Sequence, residues 1–286
     1  MFKLCNGLTE NQVNTFTAVL ASAGISFETE KNRDRWSIIV EDDDTEKALT
    51  VLAEYMNENR AEHKPDGIAD DFFMKTLSGV WAAVMLVVVY IVADSGKGFK
   101  IFIESFGASA SKIVHGEYYR TATALLFHGD AAHLAGNIFG IILFGTAVCG
   151  ITGWGAGWLM ILASGMAGNL MNAFFYQTGH VSIGASTAVF GAVGILSGYQ
   201  FMNRSKQSDW KKSAWLPLAC GLALLAFLGA GEYTDIMAHL FGFSAGLAIG
   251  IGYSVIIDRP LASIYQYICI MITLGTLTFS WMQAVG

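Results

Sequence analysis

Gly184-Ala185-Ser186-Thr187-Ala188-Val189-Phe190-Gly191 opens an apolar run that continues to Met202. Its small residues suit a helix packed tightly against others inside a membrane. Lipid tails are as apolar as leucine, so close backbone approach has to supply the attraction between helices. Ser186 stands at the mouth of this run, two residues after Gly184. Taken alone it reads first as a packing or capping serine and only second as a nucleophile. Two further polar insertions change its weight: His133 with Asn137, and His239. Each lies near the start of a separate apolar segment.

The rest of the chain makes those segments membrane spans. Of 286 residues 53% are hydrophobic and 14% charged, with a mean hydropathy of +0.47. A soluble globular chain carries about 25% charged residues. The composition therefore predicts a polytopic α-helical membrane protein. There are 3 prolines and 32 glycines, which suits tight helix packing more than long loops. The net charge of -6 is spread over the chain and excludes a nucleic-acid partner. Cys5, Cys149, Cys220 and Cys269 form no CxxC pair and no Cys/His metal spacing, and read as small apolar filler. The N-terminus, with Lys3 followed by a polar stretch, does not read as a secretory signal.

Apolar segments are expected at 77–93, 131–151, 156–176, 183–202, 214–228, 234–257 and 264–282, seven in all, in a domain covering 71–286. Residues 1–70 read instead as a soluble α+β domain of βαββα order. Val13, Phe16, Val19 and Leu20 share one side of its first helix, opened by a capping box of Thr9 and Gln12. Phe2–Cys5, Ile25–Thr29 and Trp36–Val40 read as strands, with a polar turn at Lys31-Asn32-Arg33-Asp34. Ala48, Leu49, Leu52 and Tyr55 are spaced to pack on a second helix, and residues 62–71 form a linker.

Short-loop charge sets the orientation. Arg204, Lys206, Lys211 and Lys212 between segments four and five, Arg259 between six and seven, and Arg60, Lys64 and Lys75 before segment one fall on the cytoplasmic side. The dissenting charges, Lys97, Lys100, Lys112 and Arg120, belong to a long outer loop and weigh less. That loop is too long for an idle connection and is expected partly in the membrane surface. Segments two, four and six then run from outside to inside. His133, Ser186 and His239 share one depth just below the outer surface, where a polar residue is by default a functional-site hypothesis.

The chemistry of those residues fits hydrolysis. A serine hydroxyl attacks when a base takes its proton, and a helix start adds free N–H groups for a developing oxyanion. His239 is the base candidate. It shares a helical stripe with Gly242, Gly246 and Gly250, matched by Gly191, Gly194 and Gly198 in segment four, so the two helices can approach closely. Asp235, four residues before His239, serves either as a third member or as a helix cap, and the cap is favoured. Phe190, one turn below Ser186, is placed to hold the imidazole by ring contact. His133 and Asn137 are four apart on one face and supply oxyanion donors or plain helix–helix hydrogen bonds. A metal site of His128, His133 and His180 is the rival reading, and it lacks carboxylates apart from Asp130. Glu117, Arg120 and His128 are expected to tie the outer loop.

These motifs resemble those of the rhomboid family of intramembrane serine proteases. The resemblance rests on His128-Gly129-Asp130-Ala131-Ala132-His133-Leu134-Ala135-Gly136-Asn137, on Gly184-Ala185-Ser186, and on Ala238-His239-Leu240-Phe241-Gly242 with Gly246. Glu117-Tyr118-Tyr119-Arg120 is similar to the family's outer-loop motif, where tryptophan commonly stands at the place of Tyr119. Thr187 departs from the family's frequent glycine. The match covers roughly 75–286 and implies six core helices plus a seventh at the C-terminus. It further implies a Ser186–His239 dyad without an acidic third member, with His133, Asn137 and the Ser186 N–H as oxyanion donors, and no metal or organic cofactor. Substrates would be transmembrane proteins entering sideways from the lipid bilayer, with segment five as gate and the loop after it as cap. The setting implied is a bacterial inner membrane, the N-terminal domain cytoplasmic and the active site facing outward; no oligomeric state is implied. A catalytically inactive relative that binds membrane helices is the alternative, as is a transporter, which the absence of repeated halves disfavours.

Overall fold

The computed structural model describes residues 1–32, 35–58, 77–94, 99–205, 215–228, 235–257 and 260–286. The expected linker at 62–71, the cap loop after segment five, and the positions of Arg33, Asp34, Arg60, Lys64, Lys75, Lys97, Lys206, Lys211, Lys212 and Arg259 lie outside the described residues. The chain divides into two compact units, Met1–Ile68 and Ala69–Gly286.

In the first unit β1 (Phe2–Leu8), β2 (Phe27–Asn32) and β3 (Arg35–Val40) form an antiparallel sheet of order β1-β3-β2. Helices α1 (Glu10–Ser22) and α2 (Thr45–Glu58) complete it. The capping box is present: Gln12 N–H donates to Thr9 Oγ1 at 3.3 Å, and Thr9 N–H to Gln12 Oε1 at 2.9 Å. Val13 and Leu20 are buried with Ile25, Ile38, Val40, Ala48 and Leu52, and Phe16 and Val19 pack against them. Leu49 departs from expectation. It is half exposed, because one residue beyond Ala48 on a helix turns away from the stripe that Ala48 and Leu52 bury.

The second unit is a helical bundle with helices at all seven expected places: α3 (Ser78–Asp94), α7 (Ala131–Thr152), α8 (Trp154–Tyr176), α9 (Ser186–Ser205), α10 (Leu216–Leu228), α11 (Ile236–Ile256) and α12 (Ser263–Val285). Four of these, α7, α8, α11 and α12, are long and apolar enough to cross a membrane, while α3 and α10 are shorter apolar helices. Helix α9 falls outside that set because it ends in Gln200, Asn203 and Arg204. Its first part, Thr187 to Gly198, is almost wholly buried, so it meets protein where its neighbours meet lipid. Helix α7 is not one uninterrupted helix. A π-turn at Ile141–Gly145 breaks it where Gly79 of α3 presses against Ile141 O and Ile142 Cα.

The long connection between α3 and α7 is folded. It contains α4 (Phe99–Phe106), α5 (Ala110–Val114), α6 (Arg120–Thr123) and a short strand β4 (Ala108–Ser109) paired with β5 (Val181–Ser182), just ahead of α9. Phe102, Phe106 and Phe127 gather with Trp281 of α12, with ring centroids 4.7–5.9 Å apart.

The centre of the bundle is the α9–α11 seam. A methyl group on Gly246 would fall on Gly191 O, one on Gly250 on Ile195 O, and one on Gly242 on Thr187 O. From the other side, methyl groups on Gly194 and Gly198 would strike Phe243 O and Leu247 O. The two glycine stripes therefore bring backbone against backbone.

Candidate active site

Ser186 is the first residue of α9, and the chain enters it through Gly184 at φ +119°, a left-handed conformation that disfavours side chains. A methyl group at Gly184 would also sit 2.6 Å from Cε1 and Nε2 of His133, and 3.6 Å from Ser186 Oγ. Gly184 thus separates the nucleophile candidate from the His133 ring with no room to spare. Because α9 begins here, its first N–H groups have no partner within the helix, and the positive end of its dipole lies at Ser186.

His239 is one turn into α11. Its Nε2 lies 2.8 Å from Ser186 Oγ. The seam accounts for this distance: with Gly242 against Thr187 O, the first turns of the two helices cannot lie far apart. The imidazole is buried and tilts against the Phe190 ring with centroids 4.7 Å apart, as the spacing predicted. Asp235 does not bond the His239 ring. Its Oδ1 accepts the Ala238 N–H at 3.0 Å and caps α11, and its backbone carbonyl accepts the His239 N–H at 3.1 Å.

Asn137 is buried one turn below His133, and its Nδ2 donates to His133 O at 2.9 Å. An amide carries two hydrogens, so one remains for another acceptor. Asp130 caps α7 by accepting the His133 N–H at 2.8 Å. Thr187 is helical and buried, its methyl group directed toward Gly168 and Gly242 where α8, α9 and α11 meet.

Glu117, Arg120 and His128 do not form one cluster. Arg120 Nε donates to Glu117 Oε2 at 2.6 Å and Tyr119 OH to the same oxygen at 2.9 Å. The buried Arg120 also donates to Glu104 O and Gly107 O, at 2.9 and 3.2 Å, and so staples the outer loop. His128 instead reaches the site: its Nε2 accepts the Ala185 N–H at 3.3 Å, next to Ser186. Burial, assisted by the neighbouring His133, pushes the His128 imidazole down to about 4, so it is neutral and able to accept.

The rival metal set is not brought together as a group. His128 and His133 rings lie 5.2 Å apart, but His180 Nε2 is bonded to Asp235 Oδ2 at 2.6 Å. Among the described residues no group of three or more His, Cys, Asp or Glu is placed to hold a metal. Two features escaped the sequence reading. One is this His180–Asp235 pair. The other is Gln266, a buried side chain of α12 whose Oε1 accepts the N–H groups of Gly155 and Ala156 at the start of α8, and whose signal was only a lone amide in an apolar helix.

The chain is similar to known proteins over the part that contains Ser186 and His239. A family model described as Rhomboid domain matches residues 115–255. RHOMBOID-like protein 1 of Arabidopsis thaliana is 30% identical over 150 residues, covering 52% of this chain and 38% of that protein. The putative rhomboid protease YdcA of Bacillus subtilis is 30% identical over 138 residues, covering 48% of this chain and 68% of that protein. Rhomboid protease GluP of the same organism is 30% identical over 131 residues, covering 45% and 25%. The chain spans less than half the length of two of these three relatives.

Proposed function

The chain belongs to the rhomboid family, and from that premise we propose that it is an intramembrane serine endopeptidase that cleaves other membrane proteins in or near their transmembrane segments. The observation that carries this reading is the 2.8 Å contact between Ser186 Oγ and His239 Nε2 at adjoining helix mouths. In the proposed mechanism Ser186 Oγ attacks the scissile carbonyl while His239 Nε2 takes its proton. The tetrahedral oxyanion is met by the Ser186 N–H, the His133 ring and the free hydrogen of Asn137. His239 then gives the proton to the departing amine, and water, activated by the same imidazole, releases the acyl group. Phe190 holds the ring in plane for both transfers. Asp235, committed to a helix cap, leaves the mechanism a dyad.

The access route follows the same proposal. A transmembrane substrate enters laterally beside α10, one of the two shorter apolar helices, and α10 serves as gate. We place the protein in a bacterial inner membrane, with the 1–70 domain cytoplasmic and the Ser186 mouth outward. The retained Ser–His contact favours activity over the inactive, helix-binding alternative.

The test is cleavage of a transmembrane substrate in reconstituted vesicles. Ser186→Ala and His239→Ala are both expected to abolish it, and undiminished cleavage by either rejects the dyad. Asn137→Ala is expected to slow cleavage without abolishing it, since one donor of several is lost.

A further inference from the structure

Beyond the dyad, the structure holds a second polar cluster at the same end of the bundle. Asp235 Oδ2 accepts two hydrogen bonds, from Asn172 Nδ2 at 2.6 Å and from His180 Nε2 at 2.6 Å. Its Oδ1 is the α11 cap already described. One carboxylate therefore joins three pieces of chain: the end of α8 through Asn172, the connection before α9 through His180, and the first turn of α11 through Ala238. The Tyr176 ring stacks on His180 with centroids 4.0 Å apart, which fixes the imidazole plane toward Asp235. The His180 carbonyl also accepts the Ala110 N–H at 2.9 Å, and the next two residues pair with Ala108–Ser109. Asn172 Oδ1 is buried with no partner among the described residues, so the amide is oriented by Asp235 through its nitrogen.

The positions matter. His180 is six residues ahead of Ser186, and Asp235 is four ahead of His239. The glycine seam fixes how closely α9 and α11 lie, but it does not by itself fix where the mouth of each helix begins. A bond between the two lead-ins does. We infer that Asp235 and His180 are positioning residues: together with Asn172 they form a strut that holds the lead-ins to α9 and α11 in register, and so aims Ser186 and His239 at each other across the glycine seam without touching either side chain. This inference rests on the dyad reading for its catalytic consequence, and on the Asp235 contacts with Asn172, His180 and Ala238 for the strut.

Both parts are testable in the full chain reconstituted in nanodiscs. The first readout is the rate at which Ser186 is labelled by a small fluorophosphonate, which reports nucleophile activation without a protein substrate. His180→Ala and Asp235→Ala are expected to label about tenfold to a hundredfold more slowly, the cost of a misplaced reacting group. The double variant is expected to be no slower than the slower single, because both remove one connection. His180→Gln, whose amide can still donate to Asp235, is expected to recover most of the rate. Gln266→Ala, destabilising but remote, is expected to label at the wild-type rate while folded.

The second readout is amide exchange at 181–185 and 236–240, which is expected to speed up in His180→Ala and not in His180→Gln. Unchanged exchange in His180→Ala overturns the strut. So does a labelling rate in Gln266→Ala that falls as far as in His180→Ala, since the effect is then general loss of stability. If exchange changes as expected but wild type and Ser186→Ala label alike, the dyad reading fails and the strut stands.

Discussion

Two seams of this bundle, α9–α11 and α8–α12, are built differently. The α9–α11 seam is made by absent side chains: five glycines bring carbonyl oxygens of one helix against the backbone of the other. The α8–α12 seam also has a close glycine, since a methyl group on Gly155 would fall on Gln266 O, but it adds one long polar side chain. Gln266 of α12 is buried, and its Oε1 accepts the N–H groups of Gly155 and Ala156 at 2.8 and 2.9 Å, capping α8. Its Nε2 donates to Thr152 O at 3.0 Å and Leu261 O at 3.2 Å. A glycine seam fixes distance along many residues and has no tolerance for added volume. A single amide fixes one point and fails by losing hydrogen bonds. The candidate dyad sits on the first kind of seam, where position is set by backbone.

The largest effect is expected from filling the glycine seam. Gly246→Leu places side-chain atoms where Gly191 O stands, and helices cannot part locally without parting along the seam. Little folded protein is expected, and what folds should not label at Ser186. Normal labelling by this variant would break the claim that backbone contact sets the Ser–His distance. Gly252 is a built-in control. The space beside it is open, so Gly252→Ala is expected to fold and label as wild type.

Gln266→Ala tests the other seam. It strands the buried N–H donors of Gly155 and Ala156, at about 1–3 kcal/mol each, while Thr152 O keeps the Tyr253 hydroxyl at 3.4 Å. A loss of roughly 3–5 kcal/mol in unfolding free energy is expected on that basis. Labelling below the lowered transition temperature should be unchanged. Slowed labelling in the folded variant would mean that the two seams are coupled.

The seams also differ in how well the sequence announced them. Glycines repeat along a helical stripe, so Gly242, Gly246 and Gly250 opposite Gly191, Gly194 and Gly198 were legible as a close approach, and Ser186 and His239 followed as neighbours. Phe190 followed too, being one turn from Ser186. Gln266 carries no periodicity, and its partners are backbone groups more than a hundred residues away in sequence, so nothing local marked it. The same holds for His180. Its partner Asp235 was legible only as a cap, because capping is local and the tie between the α8–α9 connection and α11 is not. Leu49 was misread for the converse reason: a local stripe was drawn one residue too wide.

The next effect in size concerns the mouth of the glycine seam. His128 holds the Ala185 N–H only while neutral, and burial lowers its imidazole from the ordinary 6.5 to about 4. The folded state then binds fewer protons than the unfolded state between those values. Stability is fully present above 6.5 and is lost as pH falls toward 4. The whole contribution is on the order of 3 kcal/mol, from about 1.4 kcal/mol per pH unit. Unfolding midpoints in detergent across this window should fall for wild type, with a shallower fall for His128→Asn. An equal slope in the two proteins would remove His128 from the account.

The smallest effect is expected at the outer loop, and it separates buried polar ties from exposed ones. Glu117 pairs with buried Arg120, but its own side chain is 41% exposed. Burial pushes its carboxyl up, yet the hydrogen bonds from Arg120 and Tyr119 outweigh this and leave it below the ordinary 4.5. Its contribution is therefore present above that value and lost as pH falls through the lowered one. Solvent screening keeps an exposed pair to under about 1 kcal/mol. Glu117→Gln should accordingly lower the unfolding midpoint slightly, with the Ser186 labelling rate intact, because Arg120 keeps its bonds to Glu104 O and Gly107 O. A loss as large as that of Gln266→Ala would mean that the Glu117–Arg120 pair is shielded as deeply as the amide on α12, and that exposure is not what distinguishes the two ties.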